Sequence, residues 1–225
     1  MDDLKRAASY SAAEAVCSGM VVGLGSGSTA RYATLRIAQK LREGGLHDIV
    51  AIPTSERTAS LARHEGIPLG MLQNYAHIDV TIDGADEVDP ELNVIKGLGG
   101  YLLREKIVAS ATLREIVVVD DSKLVERLGT KGPVPVEVIP FGLRHTQAAL
   151  ARTGAVTELR TGDGAPFVTD EGNYILDCSY DAITSQAELA VTLNAIPGVV
   201  EHGLFLGMVH AVFVASQKGV RVLER

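Results

Sequence analysis

Over the first 130 residues, short apolar runs alternate with segments of helical period, and the runs end in glycine-rich or acidic loops. Runs of strand length fall at Met20–Gly25, Ile49–Pro53, Ile78–Ile82 and Glu115–Val119, the last being the most β-branched stretch of the chain. Helical patterns cover residues 2–18, Ser28 to about Glu43, Ser55–Glu65, with Ser55 or Thr54 as N-cap, and Tyr101–Ala111. Strands that alternate with helices imply βαβ units, and therefore a parallel sheet covered on both faces.

The rhythm changes at Lys131–Pro140, where KGPVPVEVIP brings three prolines. Beyond it the pattern reads strand (Val134–Ile139), helix (Arg144–Thr153) and strand (Ala155–Leu159). A hairpin around DEGN (Phe167–Leu176), a helix (Thr184–Ala195) and a strand (Val199–His202) follow. The order β-α-β-β-α-β is that of a ferredoxin-like unit. Strand-like runs return at Ala211–Ala215 and Val220–Leu223 around a Lys218-Gly219 turn. The expected fold is α/β: a doubly wound, mostly parallel sheet of Rossmann-like type with an inserted ferredoxin-like α+β domain. The first domain comprises residues 1–131 and 204–225, and the insert residues 132–203.

Composition narrows the function classes. Of 225 residues, 46% are hydrophobic and 22% charged, a soluble globular balance. No stretch reaches the roughly 20 apolar residues of a membrane span, and the acidic start MDDLKRAASY is unlike a secretory signal. The net charge of −7 comes without the basic stripe of a nucleic-acid binder. Cys17 and Cys178 show no metal-ligand spacing and are expected as two buried, reduced thiols. The six histidines form no paired ligand arrangement, and there is no Gly-x-Ser-x-Gly elbow of a serine hydrolase.

Four segments carry chemistry, each where a parallel strand should end, the ligand-binding edge of such sheets. Gly23-Leu-Gly-Ser-Gly-Ser-Thr29 opens a helix. Its glycines let backbone amides approach an anion, and Ser26, Ser28 and Thr29 add hydroxyls. It lacks the Gly-Lys-Ser/Thr of a Walker loop, and Ser28 stands where a dinucleotide fingerprint needs glycine, so a phosphate cradle for a small ligand fits better. The four acids of Asp83-Gly-Ala-Asp-Glu-Val-Asp89 suit a hard divalent cation, acid/base work or sugar hydroxyls, but not a calcium loop. Lys96-Gly-Leu-Gly-Gly100 joins a cation to a flexible loop at a helix start, favourable for an oxyanion. In that helix Glu105 shares a largely apolar face with Leu102 and Val108, with Arg104 and Lys106 to either side. Finally, Val119-Asp-Asp-Ser-Lys123 puts a lysine after the strand EIVVV.

Together and in this order, GLGSGSTA (23–30), TIDGADEVD (81–89), IKGLGGYLLREKIVAS (95–110) and VVDDSKLV (118–125) resemble type A ribose-5-phosphate isomerases, as do PVPVEVIPF (133–141) and NAIPGVVEHGLF (194–205). The resemblance spans essentially the whole chain, and the DGADE and KGxGG–x–LxREK pair is its most specific part. It implies interconversion of D-ribose 5-phosphate and D-ribulose 5-phosphate in the pentose phosphate pathway by a cytosolic dimer or tetramer with no metal or organic cofactor. It makes Glu105 the proton acceptor and places substrate contacts at Ser26, Gly27, Ser28 and Thr29, at Asp83, Gly84, Ala85 and Asp86, at Lys96, Gly97, Leu98 and Gly99, and at Lys123. Leu98 and Asp121 depart from the residues common there; Leu98 should offer mainly backbone.

The chemistry expected of these residues is proton transfer between C2 and C1 through an enediolate, with Glu105 as the base for both steps and Lys96 and its loop amides facing the oxyanion. Asp83 or Asp86, with Asp83 preferred, assists opening of the furanose ring. Phosphate rests on Ser26–Thr29, with Lys5 adding charge. A sugar-phosphate sensor on the same fold lacks room for a DNA-binding module in 225 residues, and a nucleotide-dependent dehydrogenase is disfavoured by Ser28. Because the chain is acidic overall, attraction of a phosphate dianion must be local, in a pocket less negative than its surroundings.

Overall fold

The computed structural model describes residues 2–225; Met1 lies outside the description. The chain begins with α1 (Asp2–Ala13), β1 (Val21–Leu24), α2 (Ala30–Arg42), β2 (Val50–Pro53) and α3 (Glu56–His64). It continues through β3 (Ile78–Gly84), β4 (Glu87–Val88), β5 (Val94–Ile95), α4 (Leu102–Ser110) and β6 (Thr112–Asp120). Next come β7 (Val134–Val138), α5 (Leu143–Ala151), β8 (Val156–Leu159), β9 (Thr161–Gly162), β10 (Ala165–Pro166) and β11 (Tyr174–Ser179). It ends with α6 (Gln186–Asn194), β12 (Val199–His202), β13 (Leu204–Phe205), β14 (Ala211–Ser216) and β15 (Gly219–Glu224).

Two compact units divide the chain. The first runs to Ala85, resumes over Arg104–Leu124 and closes with Gly207–Arg225. The second comprises Asp86–Leu103 and Val125–Leu206. It therefore takes in residues 86–103, 125–131 and 204–206 as well as the 132–203 segment singled out by the change of rhythm. The cause is local pairing: β5 lies between β4 and β13 in a three-stranded antiparallel sheet. Glu87 also draws in the 129–132 loop, accepting the backbone N–H groups of Gly129 (2.7 Å), Lys131 (2.6 Å) and Gly132 (2.8 Å). The two-residue strands β4, β5 and β13 fall below the length at which periodicity identifies a strand.

In the first unit, a six-stranded sheet has the order β15-β14-β6-β3-β1-β2. β2, β1, β3, β6 and β14 are parallel, and β15 adds antiparallel at the edge. In chain order the five parallel strands run 2-1-3-4-5, so the direction of winding reverses between β1 and β3. The crevice outside the carboxyl ends at such a switch point is the ligand site of doubly wound sheets. Ala8, Ala12, Ala33 and Ile37 of α1 and α2 form one buried cluster with Val22, Val80, Ile82 and Val118 of the strands. Ile52, Ile78 and Val108 form a separate cluster that includes α4. α1 stops at Ala13 rather than continuing to residue 18, because i→i−3 bonds from Ala15 and Val16 tighten its last turn.

In the second unit, β12-β7-β11-β8 form a four-stranded sheet, antiparallel throughout. Val134, Val136 and Val138 alternate onto one face, where Leu143 and Leu150 of α5 and Leu189 and Leu193 of α6 cover them. The order and two covering helices match the ferredoxin-like expectation. The hairpin does not match it. Residues 169–173 form a turn leading into β11, whereas the paired strands are β9 and β10, around Asp163 and Gly164. Both turn residues have positive φ (51° and 81°), the geometry for which Asp-Gly is favoured.

Only one of the two thiols matches expectation. Cys178 is buried among the β11 core residues, and burial pushes its pKa up to about 12. Cys17 is exposed, because α1 ends before it.

Candidate active site

In the first unit, the site is built from the strand ends β2, β1, β3 and β6. At Gly23 in β1 and Gly25 just past it, the chain approaches β3 too closely for a side chain: a Cβ on Gly23 would lie 1.9 Å from Thr81 Oγ1, and one on Gly25 would lie 2.2 Å from Asp83 Oδ1. Past β1 the chain turns through Gly27, whose φ of +99° lies in the left-handed region. Asp83 fastens this turn. Its buried carboxylate accepts through Oδ1 from the N–H of Ser26 (3.0 Å) and of Gly84 (2.7 Å).

The turn presents its residues unequally. Ser26 is buried, and its Oγ meets Thr54 Oγ1 at 2.8 Å, Ser55 Oγ at 2.7 Å and Thr58 Oγ1 at 3.1 Å. This hydroxyl cluster at the end of β2 was legible only as an N-cap for α3, which Ser55 also provides by accepting from Thr58 N–H. Gly27 and Ser28 are exposed and Thr29 half-buried. Lys5 of α1 donates from Nζ to Ser28 Oγ at 2.9 Å, which puts a cation on the turn. Thr29 is the N-cap of α2 but makes no side-chain capping bond, so the start of α2 keeps its anion-favouring character.

Glu105 lies in the first turn of α4 and is 6% exposed. The preceding residue, Arg104, donates to Glu56 Oε1 of α3 at 2.9 Å. That hydrogen bond and the guanidinium charge hold the Glu56 carboxyl below its ordinary pKa. Lys123 is half-buried in the 3₁₀ turn Asp121–Lys123 after β6, capped by Asp120, whose Oδ1 accepts from Ser122 N–H at 3.0 Å.

In the second unit, the acidic run separates by role. Besides the loop-holding Glu87, Asp89 is buried and accepts at Oδ1 from Glu91 N–H (2.9 Å) and Asn93 N–H (2.8 Å), and at Oδ2 from Gln186 Nε2 (2.9 Å). Asp86 is half-buried and accepts at Oδ2 from the Leu98 N–H at 3.0 Å. Asp86 is thereby joined to the glycine loop. Among the described residues, no three His, Cys, Asp or Glu side chains are grouped so as to hold a metal ion. Gly84 and Ala85, in the first unit, are half-buried.

Lys96 is 3% exposed. Its N–H donates to Gly203 O at 2.9 Å, and its Nζ lies 5.5 Å from the centre of the Phe205 ring, a cation–π contact. Gly97 takes φ +104° close against Leu102, and Leu98 and Gly99 are exposed. Arg160 donates from one guanidinium nitrogen to both Gly97 O (2.8 Å) and Leu98 O (3.0 Å). No periodicity or motif in the sequence marks Arg160 for that role.

The model of a family described as ribose 5-phosphate isomerase A (phosphoriboisomerase A) matches residues 50–219. A ribose-5-phosphate isomerase A of Gloeobacter violaceus is 55% identical over 99% of this chain and 96% of its own. A ribose 5-phosphate isomerase from Plasmodium falciparum superposes with a TM-score of 0.98 at 40% identity, covering 100% of this chain and 99% of the other. A D-ribose-5-phosphate isomerase in complex with phospho-erythronic acid superposes with a TM-score of 0.97 at 41% identity, over 99% and 98% of the two chains.

Proposed function

The chain belongs to the ribose 5-phosphate isomerase A family and interconverts D-ribose 5-phosphate and D-ribulose 5-phosphate; we propose that Glu105 is the base that carries the proton between C2 and C1. The observation that carries the assignment is the burial of this carboxylate, 6% exposed in the first turn of a helix. A carboxylate withdrawn from water on a rigid element can be held over two adjacent carbons, which one base must reach in turn.

The other roles follow from the partners of each residue. Phosphate rests on exposed Gly27 and Ser28 and half-buried Thr29, against the start of α2 and the Lys5 ammonium. Ser26 contributes by shaping the turn, since its hydroxyl is engaged with Thr54, Ser55 and Thr58. Lys96 and the amides of Gly97 and Gly99 face the enediolate oxygens, each donor in such a role being worth about 3 kcal/mol, while the Leu98 amide is held by Asp86. The bound phospho-erythronic acid of the related isomerase supports this reading, because its carboxylate, like an enediolate, sets two oxygens side by side. Asp83, Gly84, Ala85 and Asp86 bind sugar hydroxyls, one of the aspartates taking the ring hydroxyl proton as the furanose opens, and Lys123 adds charge. The same reading extends to a cytoplasmic homodimer serving the pentose phosphate pathway. No helix among the described residues is long and apolar enough to cross a membrane.

A coupled assay tests the whole reading: purified protein, after exhaustive chelation, should convert ribose 5-phosphate to ribulose 5-phosphate at an undiminished rate. A rate lost on chelation and restored by magnesium would move the acidic run from base chemistry to metal binding.

A further inference from the structure

We propose that Arg160, oriented by Asp177, is a positioning residue that aims the amides of the Lys96–Gly100 loop at the reacting carbons. The inference rests on the proposed role of that loop and deepens it.

The loop cannot hold its own shape. Three of its five residues are glycines, two of them at positive φ, so almost no side-chain packing selects one conformation. Arg160 supplies the constraint through the main chain. One guanidinium nitrogen takes the consecutive carbonyls of Gly97 (2.8 Å) and Leu98 (3.0 Å). The rest of the fork is occupied by Asp177, with Nε donating to Oδ2 at 2.9 Å and the second terminal nitrogen donating to Oδ1. The two side chains are 13% and 20% exposed, so this ion pair is largely withdrawn from water and its geometry is held.

The direction of the amides then follows from peptide geometry. In a trans peptide the C=O and the N–H point to opposite sides. The peptide whose carbonyl belongs to Gly97 carries the Leu98 N–H, and that N–H does point away from the guanidinium, to Asp86 Oδ2 at 3.0 Å. The peptide whose carbonyl belongs to Leu98 carries the Gly99 N–H, which must point the same way. The side of the loop opposite Arg160 is therefore the side of Asp86, and it presents the amide of an exposed glycine. The segment after Arg160 reinforces the arrangement. Phe167 N–H donates to Arg160 O at 2.9 Å, and its ring stands where a Cβ on Gly100 would lie 2.4 Å away. Arginine is needed because its planar fork serves two carbonyls and a carboxylate at once, which the point charge of lysine cannot.

Two variants test this: Arg160→Lys, which keeps the charge, and the double variant Arg160→Met with Asp177→Leu, which leaves no buried ion stranded. Each is assayed for kcat, KM and melting temperature, and titrated with 4-phospho-erythronate and with inorganic phosphate. Loss of aim should lower kcat about 100-fold, with KM for ribose 5-phosphate changed less than about threefold. Affinity for 4-phospho-erythronate should fall at least about tenfold while that for inorganic phosphate stays unchanged, since only the former offers a carboxylate to the loop. If both variants keep the wild-type preference for 4-phospho-erythronate over phosphate, or lose activity only in proportion to melting temperature, the positioning role is refuted. If the wild-type protein itself binds 4-phospho-erythronate no more tightly than phosphate, the loop does not read the carboxylate, and the inference falls together with the reading beneath it.

Discussion

Gly25→Ala tests how the phosphate-binding turn is held. The new Cβ would stand 2.2 Å from Asp83 Oδ1 and 2.4 Å from Asp83 Cα, against the 3.4 Å at which ordinary contact begins. The carboxylate can rotate away, but the Cα belongs to β3, whose register with β1 pairs Leu24 with Ile82. Relief therefore needs the strands to part by about 1 Å, an overpacking cost of about 1–3 kcal/mol. Such a shift also breaks or stretches the Ser26 N–H bond to Asp83 Oδ1, a bond to a charged acceptor worth about 1.5–3 kcal/mol. The sum is about 2.5–6 kcal/mol of unfolding free energy, with a rise in KM for ribose 5-phosphate because the turn moves. Gly27→Ala is the control. It has nothing within 4 Å of its Cβ and loses only the conformational freedom that φ +99° requires, about 1–2 kcal/mol. Urea unfolding followed by circular dichroism gives both values. A Gly25→Ala protein as stable as the Gly27→Ala protein would refute the close approach of β1 to β3 and the bracing role assigned to Asp83.

Other outcomes follow from individual groups. Burial raises the pKa of Glu137 from its ordinary 4.5, opposed by hydrogen bonds from Asn173 and Thr169. The folded state therefore holds this proton more tightly than the unfolded state, and the protein loses stability as pH rises from 4.5 through the raised value. Glu137→Gln removes that dependence, so its stability relative to wild type should improve over the same window; parallel curves would contradict the assignment. Asp83→Asn and Asp86→Asn should separate ring opening from proton transfer. Ribulose 5-phosphate, phosphorylated at C5, cannot close to a furanose, so the variant lacking the ring-opening group should be slow on ribose 5-phosphate yet still exchange the C1 proton of ribulose 5-phosphate with heavy water. Equal loss of both reactions in both variants would argue against a dedicated ring-opening carboxylate.

Much of this was legible because glycine, β-branched runs and strand-end loops report backbone geometry directly. The parallel core and the four chemistry-bearing segments could be placed from those signals, and Glu105 stood out as a carboxylate on an apolar helix face. The acidic run was ambiguous because charge counts do not reveal partners. Glu87 spends its oxygens on backbone N–H groups 42 to 45 positions away, and Asp89 on those of Glu91 and Asn93 and on Gln186, whereas Asp86 meets the glycine loop. Arg160 was invisible for the same reason, since its partners lie 17 and 62–63 residues away in sequence. The Asp163-Gly164 hairpin, by contrast, carried a readable signal that the nearby DEGN turn obscured.

The central claim is that Glu105 moves the proton. Glu105→Gln keeps the size of the side chain and removes the base. In heavy water the variant should still bind ribose 5-phosphate, while the exchange of its C2 proton falls at least about 1,000-fold. Exchange at a rate near that of the wild-type protein would contradict the account and place the base elsewhere.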